Sequence, residues 1–150
     1  MENRLADEEM LRASEALGRL SLGNNFVPQE FSRDEAREIL AAMGWKEPDK
    51  LDPLQRLIDN GVVIEKSAAA TMILRFALDP VAEFLAATAY AKDCGTAYNC
   101  WAKLIAQVRD RGEKAAGFLT ALTLVWQAYH DGFNWPEINF TFHLVEHEAA

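Results

Sequence analysis

Three helices, the second and third opened by clear caps, followed by an abrupt change of hydrophobic period constrain this chain more than any other feature. Residues 6–22 place Met10, Leu11, Ala13, Leu17 and Leu20 on a helical repeat, and Gly23-Asn24-Asn25 stops it. Ser32-Arg33-Asp34-Glu35 has the form of a capping box, in which the serine hydroxyl and the glutamate carboxylate satisfy free N–H groups at a helix start. Ala36, Ile39, Leu40 and Met43 give that second helix an apolar face, and Gly44 ends it. Asp52-Pro53 opens a third helix, with Leu54, Leu57 and Ile58 inward and Asn60-Gly61 as its stop. The period then switches. Val62 to Lys66 and Thr71 to Phe76 are short and rich in β-branched residues, with Ser67 to Ala70 as the turn between two strands. Helix, helix, helix, hairpin is the order of a winged helix.

From Asp79 onward the pattern is helical throughout. Asp79-Pro80 reads as a helix cap, followed by Val81, Phe84, Leu85, Thr88 and Ala89 along one apolar face. Ala82, Ala86 and Ala87 make a second face thin enough for close packing. Gly95-Thr96 separates the next helix, in which Tyr98, Trp101, Ile105 and Val108 recur on one side until Gly112. Residues 113–130 are apolar on nearly all sides, as a central helix should be. Asp131-Gly132 breaks that helix, and a short extended piece is expected over Ile138 to Phe142. The fold class expected is therefore mainly α: a winged-helix-like part over residues 1–78, then a helical bundle over residues 79–150.

Charge narrows the function. The chain of 150 residues has 23 acidic and 15 basic side chains and a formal charge of -8. Nucleic-acid binders draw their affinity mainly from Lys and Arg neutralising phosphates, so this balance argues against one. The third helix, which would enter the DNA groove, offers Gln55 and Arg56 but also Asp52, Asp59 and Asn60. A winged helix that binds DNA is the alternative; one that packs against protein fits the charge better. The longest uncharged stretch, Ala115 to His130, is too short and too polar for a membrane span. The first nine residues include Glu2, Asp7, Glu8 and Glu9, the reverse of a basic export signal, so a cytoplasmic location is expected.

Motifs for chemistry are sparse. His143-Leu144-Val145-Glu146-His147 matches the H-x-x-E-H pattern of inverted zinc peptidases, but a third protein ligand and an anchored helix are also needed, so no metal is expected. Asn139-Phe140-Thr141 is a chance sequon on a chain without an export signal. Cys94 and Cys100 are six residues apart, a rise of about 9 Å within one helix and too far for a disulfide. They read as buried small side chains. No phosphate-binding glycine loop, nucleophile elbow or dinucleotide fingerprint occurs, so neither catalysis nor a cofactor is expected.

The segment Leu74-Arg75-Phe76-Ala77-Leu78-Asp79-Pro80-Val81-Ala82-Glu83-Phe84-Leu85-Ala86-Ala87 resembles the junction that follows the nucleotide-binding core in NACHT-type signalling ATPases. Phe76 matches the family's strand aromatic, and Glu83 to Ala87 match the start of its next helix. Leu57 to Val63 look like the third winged-helix helix running into the first wing strand, and the resemblance covers residues 10–130. It implies a non-catalytic regulatory module that packs on a nucleotide domain and moves between resting and active assemblies. Leu78 stands where the family has a phosphate-sensing histidine, and the phosphate loop and magnesium-binding motif would lie upstream. Binding or hydrolysis of ATP by this chain is therefore not expected.

One block of the sequence is net positive. Residues 91–120 contain Lys92, Lys103, Arg109, Arg111 and Lys114 against Asp93, Asp110 and Glu113, and no Lys or Arg follows Lys114. Lys103, Arg109, Arg111 and Lys114 are the candidate contact residues for an acidic surface on a protein partner or sister domain.

Overall fold

Local capping chemistry sets the first half of the structure. The computed structural model describes residues 2–45 and 52–130. Helix α1 (Glu2–Leu22) ends in a 3-10 turn over Gly23–Asn25, which Phe26 closes with a left-handed φ of 57°. Strand β1 (Phe31–Ser32) leads directly into α2 (Arg33–Ala42). The capping box forms as expected: Glu35 N–H donates to Ser32 Oγ at 3.0 Å, and Ser32 N–H donates to Glu35 Oε1 at 3.2 Å. Asp52 caps α3 (Pro53–Asp59) by accepting from Leu54 N–H at 3.1 Å, and Pro53 takes the first helical position.

Strands β2 (Val63–Ala68) and β3 (Thr71–Phe76) pair antiparallel from Val63↔Phe76 to Ala68↔Thr71, with Ala69 left-handed in the turn. The other edge of β3 pairs with β1 through Phe31↔Leu74 and Ser32↔Ile73, giving the sheet order β1-β3-β2. Leu74 and Phe76 are buried and Arg75 between them is exposed, the period-two alternation of a sheet with one covered face. Helix, short strand, two helices and a hairpin in this sheet order make a winged-helix-like unit. Strand β1 carries no sequence signature, because two residues cannot show a period.

The bundle consists of α4 (Asp79–Cys94), α5 (Tyr98–Asp110) and α6 (Ala116–His130), with a 3-10 turn at Gly112–Ala115 before α6. Among the described residues the fold is mainly α: six helices and one three-stranded sheet. The core runs without interruption from one half into the other. Phe26, from the loop after α1, stacks on Phe118 of α6 at 5.4 Å and meets Tyr90 of α4 edge-on at 6.0 Å. Trp101, fully buried, packs against Trp126 at 5.1 Å and donates its indole N–H to Gly95 O at 2.9 Å.

Three expectations about α4 are corrected. Its buried face consists of Ala82, Glu83, Ala86, Ala87, Ala91 and Cys94, whereas Phe84 from the expected apolar face is 51% exposed. The reason is the closeness of α1. A Cβ on Gly18 would lie 2.8 Å from Leu85 Cβ, 3.0 Å from Ala86 N and 3.1 Å from Ala82 O, so only small residues fit this seam. Secondly, Asp79 is not the cap. Leu78 holds that position with no side-chain hydrogen bond, and Asp79 and Pro80 are the first two helical residues.

Thirdly, Cys94 and Cys100 form a disulfide, with Cα atoms 5.3 Å apart. No single helix holds both. Cys94 is the last residue of α4, Gly95 turns the chain with a φ of 54°, and Cys100 lies in the first turn of α5. The reversal brings the two sulfurs together where a continuous helix would keep them apart. No helix among the described residues is long and apolar enough to cross a membrane.

Candidate functional site

The four expected contact cations do not lie along one stripe. Lys103 is exposed in the middle of α5, Arg109 is half-buried in its last turn, and Arg111 and Lys114 are exposed in the turn beyond it. At about 100° per residue, Lys103 and Arg109 point some 120° apart around α5. Arg109, Arg111 and Lys114 therefore gather at the α5–α6 corner, interleaved with exposed Asp110 and Glu113, and Lys103 stands apart.

The face a winged helix would turn to a duplex is largely occupied with itself. Gln55 Nε2 donates to Asp59 Oδ1 at 2.8 Å on the short α3. On the wing, Lys66 lies 3.7 Å from Glu30, and Glu65 lies 3.5 Å from Arg33. Arg37 makes a 2.7 Å ion pair with Asp52. Burial pushes the Asp52 carboxyl up, but the Arg37 hydrogen bond and charge, with the backbone N–H groups of Gln55 and Leu54, outweigh it and hold the group below its usual range.

A polar cleft of about 180 Å3 lies where β3 gives way to α4, lined by Ser21, Glu30, Arg75 and Asp79 among others. Ser21 Oγ donates to Gln29 O at 3.1 Å across it, and Arg75 Nε donates to Phe76 O at 3.4 Å. Leu78 is 63% exposed beside this junction. An exposed leucine offers no donor to a phosphate.

The most distinctive concavity is the groove between α4 and α6, about 410 Å3 in volume. Pro80 and Phe84 wall it on one side, and Ala121 and Leu124 on the other. Leu124 is 57% exposed, so both large walls face outward. Glu83 lines this apolar groove while being only 9% exposed. Burial raises its carboxyl above the ordinary glutamate value, and the charge of Asp79 one turn earlier raises it further. Gly117 is what makes room for it: a Cβ there would stand 2.7 Å from Glu83 Cδ and 2.8 Å from Oε1.

Sequence reasoning placed no function on Glu83. The available signal was an acidic residue set among Ala82, Ala86 and Ala87 on the thin face of α4, opposite the glycine of an uncharged helix. Among the described residues no group of three or more His, Cys, Asp or Glu could hold a metal ion. His143, Glu146 and His147 lie outside the described residues, as does the extended piece expected near residue 140.

The fold thus defines a winged-helix-like unit joined to a helical bundle. Compared with protein families, curated proteins and solved structures, the chain matches none.

Proposed function

We propose that this chain is a non-catalytic regulatory module that works by protein–protein interaction, in the manner of the winged-helix and helical region of the NACHT-type signalling ATPases it resembles. The observation that carries this reading is the seam between its two halves. Only Ala77 and Leu78 separate β3 from α4, and α4 is seated on α1 through the glycine-to-alanine contact at Gly18. A partner that moves the bundle moves the winged helix with it, which suits a relay between assemblies. The α5–α6 corner, with Arg109, Arg111 and Lys114, and Lys103 above it, is where an acidic partner surface or sister domain would be steered.

The DNA-binding alternative finds less support. Gln55 of α3 and Glu65 and Lys66 of the wing are paired within the protein, which leaves Arg56 as the exposed cation of α3, and the chain carries a charge of -8. Fluorescence anisotropy with a labelled duplex at low salt tests this choice. No binding at micromolar protein is expected; binding that weakens steeply with salt would favour the transcriptional reading instead. Calorimetry with ATP should show no saturable heat at micromolar concentration, and such heat would overturn the expectation that this chain does not bind ATP.

A further inference from the structure

Glu83 has no hydrogen-bond or ion-pair partner among the described residues, although only 9% of the residue is exposed, at the floor of the groove. Its oxygens are not among the buried unpaired atoms of the described residues, so the carboxylate opens into the groove, where apolar neighbours weaken screening and favour a cation. Neither wall of its groove supplies one. Between Asp79 and Ala91, α4 carries no charge other than Asp79 and Glu83, and α6 contains no Lys, Arg, Asp or Glu. The seat is nevertheless built: Gly117 leaves the space that the carboxylate fills, and Phe84 and Leu124 stand exposed on either side. What complements an apolar cleft with an acid at its floor is a cation on a long apolar stem.

We propose that the α4–α6 groove receives a Lys or Arg side chain from a helix of a partner protein, its methylene stem between Phe84 and Leu124 and its charged head on the Glu83 carboxylate. This rests on the reading of the chain as an interaction module and specifies the chemistry of one contact. An aliphatic residue would leave the carboxylate unpaired. The groove takes up the apolar side of the partner helix through Pro80 and Ala121, and Asp79 at the start of α4 adds a second negative charge that steers the cation inward.

The test uses N-hexylguanidinium as the probe, titrated into the full chain and followed by amide chemical shifts. Saturable shifts should centre on Gly117, Ala121, Leu124 and Phe84, and n-hexanol should not compete. Glu83→Gln, nearly isosteric, should weaken binding about tenfold or more while keeping the dispersed spectrum of a folded protein. Gly117→Ala, which forces the carboxylate from its seat by displacing only a side-chain end, should weaken it as well. Equal affinity in both variants, or shifts that gather elsewhere, would overturn the groove chemistry while leaving the interaction-module reading intact. Dimerisation of the chain in sedimentation, abolished by Leu124→Glu and accompanied by no probe binding, would assign the groove to a second copy and also overturn the proposal.

Discussion

Replacing Gly18 by alanine tests the closest helix contact in the structure. In an ordinary helix interior the change would stabilise by about 1 kcal/mol, because alanine loses less backbone entropy than glycine. Here the added Cβ would meet Leu85 Cβ at 2.8 Å, Ala86 N at 3.0 Å and Ala82 O at 3.1 Å. Two of these atoms are backbone and cannot rotate aside, so α1 and α4 must part by about 0.5 Å, enough to forfeit roughly a quarter of each dispersion contact across the seam. Overpacking of this kind costs about 1–3 kcal/mol. Set against the helix gain, the net loss centres on about 1 kcal/mol. Urea unfolding followed by tryptophan fluorescence reads it directly, since Trp101 and Trp126 are both buried. With a slope of about 1–3 kcal/mol per molar, the midpoint should fall by roughly 0.3–1 M. A midpoint equal to or above that of the unaltered chain would refute the close approach of α1 to α4.

Reduction of the disulfide, or Cys94→Ser with Cys100→Ser, releases a loop of sequence separation 6 and should cost about 2 kcal/mol, lowering the calorimetric Tm by about 4–8 °C. Identical melting with and without reductant would show that the bridge does not constrain the chain. Glu83→Gln should change the pH profile of stability. Because burial and Asp79 raise the folded carboxyl above its unfolded value, the native chain holds the extra proton, and stability is lost as pH rises from the ordinary glutamate range through the raised value. The variant should lack that loss and be the more stable at neutral pH; parallel profiles from urea midpoints across the acid range would contradict this. Asp79→Ala should shift stability by no more than about 0.5 kcal/mol, because the lost helix-dipole contact is offset by relief of Glu83 and no cap is removed. A loss above about 1 kcal/mol would return Asp79 to the capping role.

The winged-helix half was legible because its determinants are short-range. Ser32 with Glu35, Asp52 with Pro53 and the hairpin strands each act within a few residues, and each appears, although the first hairpin strand runs on through Ser67 and Ala68, which the sequence pattern assigns to the turn. The misses share a different cause: they depend on what lies across a contact. Bulk marks a buried face only when neighbours stand at ordinary distance; against Gly18 the alanines win and Phe84 is left outside. The spacing of Cys94 and Cys100 excludes a bridge only within one helix, and the Gly95 break already visible in the sequence removes that premise. Glu83 was overlooked for the same reason. Its environment is set by Gly117, thirty-four residues further on, and by the uncharged surface of α6.

The position of α1 also fixes an order of events in time. Its ion pairs with α4, Glu15 with Lys92 and Arg19 with Asp93, span 77 and 74 residues. On the ribosome α1 is made before α4, so the surface that receives Gly18 does not yet exist when α1 emerges. The capped helices and hairpin between them can form from local contacts in the meantime, since short loops close at little entropic cost. Helix α1 also packs on α2 and α3, and its seating is complete only when α4 arrives. The face of α1 that meets α4 at Gly18 thus waits uncovered until α4 has been made.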